Sequence, residues 1–145
     1  MRTIYAAFAA LTLLAAPALA QSEAPPYDKG SVWEYAQVKT VDGHFDDYMK
    51  WLSGPWQEQQ EALEKAGFIK SYKVLVVDSP RRDEADIILV TEYANMAGFD
   101  RSTKDEYAMG EKIWGSLSKA SQEQAARSSI RTLMGVMTTR EAVLK

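Results

Sequence analysis

The chain is predicted to fold as an α+β domain in the order β-α-β-β-α-β. Three observations predict it. Alternating segments rich in β-branched and aromatic residues open and close the domain. Two stretches with apolar residues at three- and four-residue steps lie between them. A short charged loop joins the two central strand-like runs into a hairpin. The arrangement is one four-stranded antiparallel sheet with two helices on one face, the ferredoxin-like split unit.

Each element follows from its residues. Ser31–Val41 sets Val32, Glu34, Ala36 and Val38 in alternation with Trp33, Tyr35, Gln37 and Lys39, which is a strand covered in part on both faces. Asp42-Gly43 breaks it and is a candidate helix cap. From His44 the period changes: Phe45, Tyr48, Met49, Leu52, Trp56, Leu63 and Ala66 form an apolar stripe, ended by Gly67 as C-cap. Gly54-Pro55 interrupts the stripe, so a kink or two abutting helices are expected, with Ser53 available to cap the second half. Phe68–Asp78 and Ala85–Ala94 are the hairpin strands, and Ser79–Glu84 is their turn. Lys104–Ser129 is the second helical region, with Tyr107, Ile113, Trp114, Leu117, Ala120 and Ala125 expected to be buried. Gly110 and Gly115 weaken it, so two pieces are allowed. Ile130–Leu144 alternates again and closes the sheet, with a bulge expected at Gly135.

The first 20 of 145 residues have a different character. One arginine, an apolar run and Ala18-Leu19-Ala20 read as a secretory signal peptide cleaved after Ala20. The run is shorter than the ~20 apolar residues that a membrane span needs. Gln21–Gly30 reads as a flexible leader, and residues 31–145 as a single domain. The protein is therefore expected in the periplasm or outside the cell, away from cytosolic nucleotide cofactors, and no cofactor is expected. There are no cysteines, so disulfides, thiolate metal sites and a cysteine nucleophile are excluded. The net charge is −3, with acids and bases interspersed and no basic stripe, which disfavours a nucleic-acid partner.

Val41-Asp42-Gly43-His44-Phe45-Asp46-Asp47-Tyr48, a strand ending followed by an acidic amphipathic helix, resembles the dimeric α/β-barrel superfamily. Ala66-Gly67-Phe68 and Thr139-Arg140-Glu141-Ala142 are similar to its helix exit and last strand. That superfamily includes antibiotic-biosynthesis monooxygenase-like, NIPSNAP-like and EthD-like proteins, and the resemblance covers residues 31–145. It implies a homodimer in which two sheets pair into a barrel, each subunit keeping a cleft between its sheet and its helices. The residues point to a partner independently, because both alternating sets of the first strand carry apolar side chains.

His44, the only histidine, has no partner motif and is more simply a first-turn polar residue than a base or haem ligand. Trp33, Tyr35, Tyr72, Tyr93, Trp56 and Trp114 are an aromatic set suited either to a cleft for a flat ligand or to core and interface packing. Glu58, Glu61 and Glu64 are a solvated helix face rather than a metal site, since no histidine accompanies them. Ser116-Leu117-Ser118-Lys119 and Tyr35 with Lys39 match acyl-transfer and dehydrogenase motifs by chance, because neither has its required fold context. The expected cleft residues are His44, Tyr35, Tyr72, Tyr93 and Trp114. The expected function is binding of a small apolar or aromatic ligand, with cofactor-free oxygenase-like chemistry as one form of it. The alternative is a non-enzymatic scaffold or carrier of the same fold.

Overall fold

The computed structural model describes residues 24–145. The expected signal peptide and the first residues of the expected leader lie outside the described residues. The four strands are β1 (Tyr27–Thr40), β2 (Ser71–Val76), β3 (Ile87–Tyr93) and β4 (Arg131–Leu144). They form one antiparallel sheet in the order β2-β3-β1-β4. With the helices between β1 and β2 and between β3 and β4, this is the ferredoxin-like fold that the element order predicts.

β1 is central and sets the two faces of the sheet. Val32, Glu34, Ala36 and Val38 pair with Tyr93, Thr91, Leu89 and Ile87 on the helix-facing side. Trp33, Tyr35 and Gln37 pair with Glu92, Val90 and Ile88 on the other, where no helix among the described residues packs. The core lies under the first helix: Val38, Ile87, Tyr48, Leu52 and Trp56 are buried together. A second buried group, Val32, Ile69 and Tyr93, lies toward the other end of the same face. Each such side chain removed from water contributes roughly 1.5–3 kcal/mol.

The first helix is continuous but kinked. α1 (Phe45–Trp51) passes through a π-helical turn (Leu52–Trp56) into α2 (Gln57–Lys65). Pro55 supplies no N–H and crowds the carbonyl four residues back, so the turn widens and the Gln57 N–H reaches the Leu52 carbonyl. Ser53 does not cap the second half; its hydroxyl donates to the Lys50 carbonyl at 3.1 Å. Asp42 is not a cap either. The helix starts from His44, whose backbone N–H donates to the Val41 carbonyl after Gly43 turns the chain. Gly67 closes α2 with φ +76°: its N–H meets the Glu64 carbonyl and the Phe68 N–H meets the Leu63 carbonyl, a Schellman ending.

The second helical region is two pieces, α3 (Thr103–Trp114) and α4 (Leu117–Arg127), capped by Ser102 and Ser116. The break is Gly115 at φ +78°, not Gly110. No residue of either helix is buried, which corrects the expectation for Tyr107, Ile113, Trp114, Leu117, Ala120 and Ala125. Ile113, Trp114 and Ala120 are half-buried, while Tyr107 is 57% exposed. The Gly115 turn folds the helices back on each other, with Leu117 against Gly110, so their apolar positions are not all spent on the sheet.

β1 begins at Tyr27, four residues inside the expected leader. Tyr27–Lys29 pair with Ala142–Leu144, and Lys145 binds Asp28 at 3.0 Å. The expected bulge is present: pairing with β4 slips between Gln37 and Val38, leaving Met134 beside Gly135 unpaired.

Candidate functional site

The helix-facing side of the sheet is only half roofed. On β4, Val136 and Leu133 lie opposite Ala36 and Val38, yet they are 54% and 47% exposed. The first helix packs on Val38, Ile87, Val74 and Leu89, and the strip of β1 and β4 beside it stays open as a shallow groove, marked by exposed Leu133 and Val136. Its floor is Glu34, Ala36, Val136 and Thr138. Glu34 lies opposite Thr91 on one side and Thr138 on the other.

Glu34 interrupts an otherwise apolar row on the central strand. Burial pushes its carboxyl above the ordinary carboxylate range, and the Arg101 guanidinium opposes that rise. Among the described residues it makes no ion pair within 4 Å. Arg101 stacks over Phe68 at 5.4 Å and leaves its buried Nη1 without a protein partner. Beside it is an open recess of about 280 Å³ lined by Gly67, Phe68, Asn95 and Gly98. Tyr93 packs on Phe99 at 4.3 Å, and burial followed by the Glu34 charge raises its phenol.

Toward the other end of the sheet, Arg127 lies over the Trp51 ring at 4.1 Å and 6.0 Å from Trp114. Arg131 opens β4 beside it. Tyr48 stacks on Trp51 at 5.6 Å; burial raises its phenol, against the pull of both arginines.

The five expected cleft residues do not converge. Tyr93 is on the helix-facing side next to Glu34, and Trp114 is at the far end near Arg127. Tyr72 faces the helices on the outer strand, edge-on to Trp56 at 5.5 Å, with its hydroxyl 3.5 Å from Glu61. Tyr35 points to the opposite face of the sheet, between Val90 and Met137. The alternation of β1 separates Tyr35 from Tyr93 because Tyr35 has the parity of Trp33, while Tyr93 is paired with Val32. His44 sits at the start of α1, outside the groove, with its Nδ1 3.0 Å from Asp47. Among the described residues no three metal-ligating side chains gather, and no helix is long and apolar enough to cross a membrane.

The charged residues of the groove were not singled out by sequence. Glu34 was visible as a lone carboxylate on the apolar parity of a central strand. Arg101, Arg127 and Arg131 carry no motif, and only the fold assembles them.

No family model matches the chain, and no curated protein matches it. Solved structures do. The chain is similar to HapK from Hahella chejuensis, with a TM-score of 0.52 and 13% identity over 76% of this chain and 91% of that one. It is similar to a protein from Shewanella oneidensis, with a TM-score of 0.50 and 14% identity over 81% and 96%. A dimeric ferredoxin-like protein from an uncultured marine organism matches with a TM-score of 0.49 and 13% identity over 81% and 90%. At these identities the likeness is one of fold.

Proposed function

We propose that the protein is an exported small-molecule-binding protein that works as a homodimer. The observation that carries ligand binding is Glu34, a half-buried carboxyl on the central strand with no ion-pair partner among the described residues. Such a group costs stability, and a role in binding is a reason for its being kept. Its raised pKa suits proton exchange with a bound phenol or acid, which supports the cofactor-free form of the reading.

The open face of the sheet supports the dimer. Leu75 and Met137 are 44% and 48% exposed there, beside half-buried Trp33 and Tyr35. A second copy would cover this apolar face. Export rests on the composition of residues 1–20.

Native mass spectrometry of the protein purified from its own periplasm tests the reading. The expected species is a dimer carrying a small molecule, with less of it retained by Glu34→Gln. A monomer refutes the dimer. A chain that never carries an adduct, in wild type and variant alike, refutes the binding role.

A further inference from the structure

We propose that the recess beside Arg101 binds the carboxylate of a small acid with a short apolar body. The inference rests on the reading of the protein as a small-molecule binder and names the head group of its ligand.

Two chain reversals, brought together by the fold, make the room. Gly67, at φ +76°, ends α2 and turns the chain into Phe68. Past the end of β3, Asn95 leads into a 3-10 turn over Met96–Phe99. A Cβ on Gly98 would come within 2.7 Å of the Tyr93 ring, so glycine keeps this turn close to the sheet. With Ala94, Ala97 and Arg101 these residues surround a half-open space of about 280 Å³.

Only two side chains on its wall carry hydrogen-bonding groups, Asn95 and Arg101, and what both have to offer is donors. Asn95 Oδ1 already accepts from the Ala97 N–H at 2.9 Å, which leaves its amide Nδ2 to donate. Arg101 is half-buried and makes no side-chain hydrogen bond and no ion pair among the described residues. Its guanidinium is kept over the Phe68 ring, 5.4 Å from the centroid. Nη1 is closed off from water, while Nε and Nη2 stay open to it and unspent.

A wall of donors with one cation suits one negative charge on acceptor oxygens. A guanidinium and a carboxylate pair through two parallel N–H···O bonds. A phosphate dianion would bring more charge than one guanidinium offsets, next to Glu34, whose carboxyl already feels Arg101 from the sheet side. Phe68, Ala94 and Ala97 give apolar surface for a few carbons beyond the head group.

Calorimetric titration with butyrate, its neutral isostere butyramide and inorganic phosphate tests this. Butyrate is expected to bind saturably, with butyramide at least about tenfold weaker because it lacks the charge. Arg101→Gln is expected to weaken butyrate by about 10–100-fold, and Arg101→Lys to recover part of the affinity. Asn95→Asp keeps an acceptor for the Ala97 N–H but replaces the free donor by a negative charge, and is expected to abolish binding. Both residues lie between β3 and α3, outside the two buried groups, and circular dichroism checks that the variants fold. Should a variant fail to fold, the butyrate–butyramide comparison on the wild type decides. Equal binding of butyramide, binding of phosphate alone, no butyrate binding at millimolar concentration, or folded variants with unchanged affinity would each overturn the proposal. A neutral molecule that co-purifies with a protein indifferent to butyrate would leave the small-molecule reading standing and remove the carboxylate.

Discussion

Replacing Glu92 by Gln should remove a pH-dependent share of the stability. Glu92 Oε1 accepts from the Lys70 ammonium at 2.7 Å, and Oε2 accepts from the Ser71 hydroxyl at 2.8 Å. Lys70 also donates to Ser31 at 2.9 Å, so the group ties β2 to β3 and β1. These partners, Lys70 foremost, hold the carboxyl at about 2 rather than 4.5. A folded-state pKa below the unfolded one stabilises the protein above the unfolded value, and the contribution is lost as pH falls through the folded one. The fall from 4.5 to about 2 sets an upper bound of ~3 kcal/mol. The Glu92 side chain is 13% exposed but Lys70 is 50% exposed, so water screens the pair. We expect Glu92→Gln to cost about 1–2 kcal/mol near pH 7. Urea unfolding of wild type and variant at about pH 7, 4.5 and 3 measures it. The gap in midpoints should be constant above pH 4.5 and shrink below it. A gap that is absent at neutral pH, or that persists unchanged in acid, would refute the linkage.

Other perturbations separate the remaining parts of the account. Ile87→Ala removes a fully buried side chain beneath Val38, Leu52 and Trp56 and should cost about 3 kcal/mol in urea unfolding. Gly115→Ala forces a side chain into φ +78° with open space around it, so the strain alone should cost about 1 kcal/mol. Glu34→Gln should act in the opposite direction. A folded pKa raised above the ordinary value makes wild-type stability fall as pH rises from 4.5 through the raised value. The variant should therefore have the higher Tm at neutral pH and a flatter pH profile. Tyr35→Asp, on the open face, should yield monomers in analytical ultracentrifugation with little change in circular dichroism.

Much of the fold was legible because local chemistry and tertiary structure agree. Gly54-Pro55 specified a disturbance in the first helix, and the π-turn is how the backbone absorbs a missing N–H without ending the helix. Gly67, Gly115 and the Met134–Gly135 bulge fall where turn chemistry and strand register require them. The start of β1 was missed because Pro25, Pro26 and Lys29 read as leader. Only the far end of β4, paired with it, makes Tyr27–Lys29 a strand. Of the site, the aromatics and the lone Glu34 carboxylate were legible, but the faces of the aromatics were not. Tyr35 and Tyr93 look equivalent as aromatic strand residues, yet strand pairing sends them to opposite sides of the sheet. Arg127 meets Trp51 across 76 residues of chain, a contact that no local spacing encodes.

A crystal structure of the protein purified from the cells that naturally make it would test the central claim most directly. The account predicts two chains meeting through the face that carries Tyr35, and a small molecule beside Glu34. A groove closed by the protein's own Ile113 and Trp114, with nothing bound and the Tyr35 face open to water, would contradict it.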